Sequence, residues 1–563
     1  MESPPVSSSP AYAGPLQLAA AEGQGDFRMM SGSPYGDYLA GLVAGKQRDL
    51  SAAADLMLRA LDNDPDNAAL LRHTFTLVAA DGRHAEAVRL ARRVVEHFPD
   101  DSSARLVLAV DKVERGEVEA AAEALNSLPA RGLSKFMVPM LDSWLLVAKG
   151  EIDAAVERLA ALGENDGFGT LYRLQLALIY DVAGRPDAAE AEYRAALQAA
   201  GQPSLRLTWL AGNYFERQGQ SEAAGEAYRA FQDGESGGSL FDQALQRVAD
   251  GVRPPPSVPD YKAGMAEVLF NLSSLLSQER AEETALIHSH LALRLNPRFD
   301  VARILLGEIL ESQDRVAEAI EVYRRVDPAS PFSWMARLRI AEGFENLERV
   351  GEAVAELEAL AAERPERYEP LFRVGNILRA QEQFSESVAA YDRAFERLPG
   401  GTTGLWTMYY FRGISLERAG DWARAEQDLL KALELEPEQP YVMNYLAYSW
   451  VEKKSHLDEA EQMLVRAVEL RPEDGYIVDS LGWVYYRLEQ FDNAVIHLER
   501  AVELRPQDPV INDHLGDAYW RVGRHQEARF QWRRALSLKP EADLVPTIEV
   551  KIEDGLGANP QKI

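Results

Sequence analysis

The 563-residue sequence contains 60 Lys and Arg against 89 Asp and Glu, which gives a formal net charge of −29. Such acidity argues against nucleic acid or anionic lipid as a general partner, because both present phosphate groups. The absence of cysteine excludes disulfides, cysteine-ligated zinc, iron–sulfur clusters and a cysteine nucleophile. No apolar run reaches the ~18–20 residues of a membrane-spanning helix, so direct membrane insertion is not expected.

Residues 1–33 are rich in Pro, Ser, Gly and Ala and contain no basic residue before Arg28. This composition predicts a disordered leader. A secretory signal peptide needs a basic start and an apolar core, and neither is present, so a cytoplasmic location is the default expectation. Ala11-Tyr12-Ala13 nevertheless has the form of a signal-peptidase site, and a start upstream of Met1 would favour a periplasmic or envelope-associated protein.

Residues 34–237 are predicted to form an N-terminal array of six helical hairpins, with repeats that begin at positions 34, 68, 102, 136, 170 and 204. Each repeat has an alanine at the same place in its second helix: Ala53, Ala87, Ala121, Ala155, Ala189 and Ala223. Glycines such as Gly82 and Gly150 fall where a first helix should end, and they favour left-handed caps there. Residues 238–265 are predicted to be one further helix plus a Pro-rich linker, because Pro254, Pro255, Pro256 and Pro259 cannot continue a helix.

Residues 266–542 are predicted to form a second array of eight repeats, followed by a capping tail at 543–563. The repeat is clearest near the end, where Gly482 and Ala494 recur 34 residues later as Gly516 and Ala528. The repeat at 440 carries one extra residue in the turn between its helices, near Lys454-Ser455-His456.

The repeat that begins at 475 resembles the tetratricopeptide repeat. That pattern asks for a large residue, Leu-Gly, Tyr, Ala, an aromatic residue or Leu, Ala and Pro. The matching positions are Val478, Leu481, Gly482, Tyr485, Ala494, Leu498, Ala501 and Pro506. The resemblance implies an all-α, right-handed superhelical solenoid of about fourteen helical hairpins.

In that family the first helix of each repeat lines a concave groove. Transferred to the last three repeats, the resemblance implies a peptide- or protein-binding face of Tyr441, Asn444, Tyr448, Tyr476, Asp479, Trp483, Tyr486, Arg487, Asp513, Asp517, Trp520 and Arg521. Exposed aromatic rings interleaved with fixed polar groups suit a peptide partner. The expected function is a non-catalytic scaffold or adaptor that binds other proteins or peptides, without a cofactor or metal.

Two alternatives stay open. The same face could mediate self-association in a structural protein. Ser480 and His514, one repeat apart, could instead belong to a hydrolytic site, although no oxyanion donor or nucleophile elbow accompanies them. The aromatic segments also resemble long bacterial tetratricopeptide scaffold and adaptor proteins, among them a lipoprotein adaptor for an envelope protease. This resemblance adds a further alternative, an adaptor for an envelope protease, although the lipidated cysteine of that adaptor is absent here.

Overall fold

The computed structural model describes residues 34–160, 162, 169–232, 240–398 and 405–557. The predicted leader at 1–33 and the last residues of the predicted tail lie outside the described residues. Within the described ranges the chain forms thirty helices and no strand, which confirms the all-α class. Contacts divide the chain after Glu356 into an N-terminal body and a C-terminal body that starts at Leu357.

The N-terminal body contains eighteen complete helices among its described residues. They are α1 Pro34–Lys46, α2 Leu50–Asn63, α3 Ala68–Ala80, α4 His84–His97, α5 Ser102–Glu114, α6 Val118–Asn126, α7 Ser134–Ala148, α8 Ile152–Ala160, α9 Gly169–Val182, α10 Pro186–Ala200, α11 Leu205–Arg217, α12 Ser221–Gln232, α13 Asp242–Asp250, α14 Tyr261–Gln278, α15 Glu282–Leu295, α16 Asp300–Ser312, α17 Val316–Tyr323 and α18 Ser333–Asn346.

Helix α19, Val350–Glu363, crosses the division between the bodies. The C-terminal body then contains α20 Glu369–Ala380, α21 Phe384–Glu396, α22 Trp406–Arg418, α23 Trp422–Leu435, α24 Pro440–Glu452, α25 Leu457–Leu470, α26 Gly475–Arg487, α27 Phe491–Leu504, α28 Pro509–Arg521, α29 His525–Ser537 and α30 Val545–Asp554.

In chain order these helices pair into fourteen hairpins, with α13 and α30 as single helices, so the predicted number of hairpins is confirmed. We refer to the leading helix of each hairpin as its first helix. The small residues sit where the two helices of a hairpin meet. A Cβ at Gly482 would lie 2.6 Å from Cγ of Leu498, and Ala494 is fully buried. A large side chain on one helix of the hairpin therefore packs against a small residue on the other helix.

The sixth hairpin lies one residue later than the sequence register. Gly212, not Ala211, faces the ring of Tyr228, and Ala224 is buried where Ala223 was expected. The connection from α10 to α11, 201–204, has four residues like the earlier connections at 64–67 and 98–101. The added residue therefore lies in α10, which has 15 residues where α2 and α4 have 14. By contrast, the extra residue of the repeat at 440 lies where it was predicted, since Lys454 and His456 both have left-handed backbones, with φ of 55° and 49°.

The Pro-rich segment packs against α11. Nδ2 of Asn213 donates to the carbonyl of Pro255 at 3.0 Å, Nε1 of Trp209 donates to Oγ of Ser257 at 3.2 Å, and Val258 is buried. Contacts therefore do not separate the chain at these prolines. The division into arrays at 34–237 and 266–542 around a linker at 238–265 stays a prediction about the repeat pattern.

Candidate functional site

Helices α24, α26 and α28 carry all twelve residues of the predicted binding face. Each helix starts at a side-chain cap, as at Asp508, whose Oδ1 accepts from the backbone N–H of Val510 at 2.9 Å. Caps satisfy N–H groups that have no partner inside the helix and so fix where each helix begins. That start point determines which side chains share the inner face.

The C-terminal helix α30 covers the last hairpin's part of this face. Nζ of Lys551 lies 2.7 Å from Asp513 and 2.9 Å from Asp517. Trp520 donates from Nε1 to the carbonyl of Leu556 at 3.1 Å, and Arg521 donates to the carbonyl of Gly557 at 2.8 Å. Four predicted binding residues thus contact the protein's own C-terminal segment.

Burial and neighbouring charges shift the pKa values of Lys551 and Asp517. Burial, followed by the neighbouring Asp513, raises the pKa of Asp517 to about 6. Burial alone would lower the pKa of Lys551, but Asp517 and Asp513 outweigh it, so that pKa is raised. The ammonium group therefore stays charged between the two carboxylates.

Trp483 and Tyr486 stack on each other, with ring centroids 4.8 Å apart and planes 8° apart. Tyr486 is only 3% exposed, and its hydroxyl accepts from Nε of Arg521 at 3.2 Å. Nε1 of Trp483 donates to Glu452 at 2.9 Å, and Arg487 lies 3.8 Å from the same carboxylate. Tyr486 is therefore part of the hydrophobic core, not an exposed anchor for a partner.

Tyr441 lies away from this cluster. It packs half-buried against the core around α24, and the guanidinium of Arg471 lies 5.9 Å from its ring centroid.

The other four predicted residues, Asn444, Tyr448, Tyr476 and Asp479, line one cavity of about 330 Å³. First helices of four successive hairpins contribute to it. The lining consists of Glu417 and Arg418 of α22; Asn444, Tyr445, Tyr448, Ser449 and Glu452 of α24 with the adjacent Lys453; Tyr476, Asp479 and Ser480 of α26; and Val510 and His514 of α28.

His514 and Asp479 form a buried pair at one side of this cavity. Nδ1 of His514 lies 3.1 Å from both carboxylate oxygens of Asp479. Burial lowers the pKa of His514, but the charge of Asp479 and its hydrogen bond, with Asp513 and Asp517 beyond, raise it above the ordinary value overall. Oγ of Ser480 donates to the carbonyl of Tyr476 at 3.0 Å, so it makes a helix-internal bond. The arrangement is an ion pair that fixes the imidazole, without the serine–histidine bond of a hydrolytic site.

Glu417 is one of several lining residues that the predicted binding face omitted. It occupies the twelfth position of the repeat at 406, the same place that Tyr486 holds in the repeat at 475. Extending the family's inward positions by one repeat would have found it.

The inner face of the N-terminal array is filled by its own chain. Helix α14 packs against α7 and α9, and α15 packs against α3 and α5. Arg206 and Glu267 form a buried ion pair there, and Gly264 lies against the ring of Trp144. The groove positions of these first helices are thus already occupied.

Two larger cavities, of about 650 and 600 Å³, lie at Phe231 and at Tyr35. Both adjoin segments outside the described residues. Over the described ranges, no group of three His, Asp or Glu side chains is placed to hold a metal ion, and no helix is long and apolar enough to cross a membrane.

Family models described as tetratricopeptide repeat match residues 78–133, 174–239, 291–333, 338–402, 410–461, 452–509 and 511–541. These matches cover more than half of the chain. The chain belongs to the tetratricopeptide repeat family. Repeats of this family bind other proteins or peptides and are typically non-catalytic, so the chain has the general character of a protein-interaction scaffold.

A Pseudomonas aeruginosa protein, the TPR repeat-containing protein PA4667, is 28% identical over 196 residues. That match covers 35% of this chain and 32% of the relative, about a third of its length. Among solved structures, the APC/C hetero-tetramer Cut9–Hcn1 is 16% identical with a TM-score of 0.37, and the match covers 94% of this chain and 98% of that one. Yeast Tom70 is 13% identical with a TM-score of 0.33, over 93% and 95%. The fold class here rests on the described helices and the family models.

Proposed function

We propose that the C-terminal body is a peptide-binding adaptor, and that the cavity between α22, α24, α26 and α28 is where a segment of the partner protein binds. The observation that carries this proposal is the position of the cavity. It lies on the first helices of four successive hairpins, the face that the family uses for partners.

The surroundings of the cavity support the same choice. The inner face of the N-terminal array packs against α14 and α15, and the inner face of the last hairpin packs under α30. A partner would have to displace buried contacts at either place. At the cavity, half-buried rings such as Tyr448 and Tyr476 stand beside polar groups, which is the composition of protein-binding hot spots.

A photo-cross-linking experiment with the full chain tests the proposal. A benzoylphenylalanine at Tyr448 reports on the cavity, and the same group at Phe530, which is 66% exposed on α29, serves as the matched control. We expect cross-links to a distinct partner polypeptide from position 448 and none from position 530.

Two outcomes would count against the adaptor. Cross-links that join two copies of this chain, together with a dimer in sedimentation experiments, would support the self-associating structural protein. Equal cross-linking from both positions would remove the reason to place the site in the cavity.

A further inference from the structure

Asn444 brings an unpaired hydrogen-bond acceptor to the cavity. Its side chain is 9% exposed, and its buried Oδ1 has no hydrogen-bond donor among the described residues. A buried amide oxygen without a donor costs about 1–3 kcal/mol. An N–H group of a ligand in the cavity would remove that cost.

Two carboxylates of the lining also retain acceptor capacity. Glu452 accepts one hydrogen bond from Trp483 at 2.9 Å, and its cation, Arg487, stands at 3.8 Å, beyond hydrogen-bond distance. Glu417 accepts from the hydroxyl of Tyr445 at 3.2 Å, with Nζ of Lys453 at 3.7 Å. Because an ionised carboxylate can accept about four hydrogen bonds, both residues can take further donors.

The cations of the lining are held against rings that do not line the cavity. The guanidinium of Arg418 lies 4.9 Å from the ring centroid of Phe384, and Nζ of Lys453 lies 4.8 Å from that of Trp422. Inside the cavity, the rings of Tyr445, Tyr448 and Tyr476 form aromatic walls. Such rings attract cations on their faces, and the ring of Tyr476 already has the guanidinium of Arg505 at 4.9 Å from its centroid.

The hydroxyl of Tyr448 lies near carboxylates of the cavity lining. Burial, and then the charges of Glu452 and Asp479, raise the pKa of Tyr448 well above its ordinary value. The hydroxyl therefore stays protonated at neutral pH, and the carboxylates of Glu452 and Asp479 add a negative potential at this position.

We propose that the cavity between α22 and α28 recognises a basic side chain, the guanidinium of arginine or the ammonium of lysine, in the partner segment, a specificity that rests on the peptide-binding function proposed above. Glu417 and Glu452 supply the charge, Oδ1 of Asn444 accepts one N–H, and the tyrosine rings contact the aliphatic stem. Charge-assisted hydrogen bonds of this kind are stronger than neutral ones.

Four blocked pentapeptides of sequence Gly-Ala-X-Ala-Gly, in which X is arginine, lysine, norleucine or glutamate, test the specificity. Their dissociation constants for the full chain are measured by calorimetry at low and high salt. We expect the arginine and lysine peptides to bind at least about tenfold more tightly than norleucine and glutamate, because only their side chains can donate to the buried Oδ1 of Asn444 and to the two carboxylates. Their advantage should fall as salt rises, since salt screens charges near the surface.

Two isosteric variants locate the effect. Asn444→Leu removes the unpaired acceptor, and Glu452→Gln removes a charge but keeps an oxygen for the Trp483 bond. Each should reduce the preference for arginine over norleucine about tenfold. Glu503→Gln, on an exposed carboxylate of α27, is the matched control and should leave the preference unchanged. Unchanged helicity by circular dichroism establishes that each variant is folded.

Equal binding of all four peptides, tighter binding of the glutamate peptide, or no binding of any of them overturns the basic specificity. If cross-linking from position 448 still identifies a partner in that case, the peptide-binding function stands and only the choice of a basic side chain fails. If that cross-linking also fails, both proposals fall together.

Discussion

The imidazole of His514 lies flat against the indole of Trp483, with ring centroids 4.1 Å apart and planes 17° apart. The carboxylate of Asp479 lies 3.1 Å from Nδ1 of the same imidazole and provides its charge partner. A hydrophobic ring and a carboxylate thus hold one histidine from two sides. The raised pKa of His514 makes the C-terminal body sensitive to pH.

Replacing His514 by Gln should destabilise the C-terminal body more at about pH 6 than at about pH 8.5. The pKa of His514 is higher in the folded protein than in the unfolded chain. Its contribution to stability is therefore complete below the unfolded pKa and is lost as pH rises through the folded pKa. Thermal unfolding of both proteins at several pH values measures the difference. The charged and titratable groups that face His514 are Asp479, Asp513 and Asp517.

His497 provides a control of opposite sign. Burial lowers its pKa, so its contribution is complete at high pH and is lost as pH falls below the unfolded pKa. His497→Gln should therefore show the reverse pH dependence. If both variants have the same pH dependence, the Asp479 pair does not hold a proton on His514.

Gly264→Ala should destabilise the N-terminal body by about 1–3 kcal/mol, because the added methyl group would overlap the ring of Trp144. Gly351→Ala is the matched control, since a Cβ there meets nothing within 4 Å and α19 favours alanine over glycine. We expect it to be neutral or slightly stabilising. Urea unfolding followed by circular dichroism compares the two. Equal effects would mean that α14 does not pack on α7 in solution.

Acid should destabilise the N-terminal body through His288. Burial lowers the pKa of this residue to about 4, and the bond from Nδ1 to the carbonyl of Thr284 offsets it only in part. As pH falls from about 6.5 to about 4, the unfolded chain binds the proton before the folded one, so stability is lost over that range. His288→Leu should remove this part of the acid sensitivity, by roughly 1–3 kcal/mol at about pH 5 relative to pH 7. Identical acid profiles of the two proteins would contradict it.

Lys551→Met should destabilise the last hairpin by about 3–5 kcal/mol, because Asp513 and Asp517 would lose the cation between them. Lys431→Met removes an exposed ion pair with Glu434 and should leave stability almost unchanged. Hydrogen exchange of α28 and α29 measures the loss where it occurs, since neighbouring repeats can unfold separately. Protection that is unchanged in Lys551→Met would show that α30 does not hold this hairpin.

The 34-residue period was sufficient to predict the number of hairpins, since small residues such as Gly482 and Ala494 are required wherever two helices cross. It could not predict the register of the sixth hairpin, because one added residue at the end of a helix such as α10 shifts every later position without changing the pattern on either side. The repeat pattern therefore predicts the geometry within a hairpin but not a shift in register between hairpins.

The binding face was predicted less completely for the same reason. The repeat pattern indicates which side of a first helix faces inward, and four of the predicted residues, Asn444, Tyr448, Tyr476 and Asp479, line one cavity there. It contains no information on what another part of the chain contributes. Lys551 belongs to α30, which is not part of any hairpin, and it covers the last hairpin by contacting Asp517. Tyr486 is buried by its contacts with Arg521 and Phe491.

The filled inner face of the N-terminal array has a consequence for the order of folding. An ordinary repeat array contacts only its nearest neighbours, so it can fold as soon as each hairpin leaves the ribosome. Here Lys262 donates to the carbonyl of Glu114, 148 residues earlier, and Arg48 donates to that of Ser312, 264 residues later. The first six hairpins therefore acquire their inner contacts only after α14 to α16 are synthesised. We expect the N-terminal body to fold slowly for an all-helical chain, as proteins with distant contacts do.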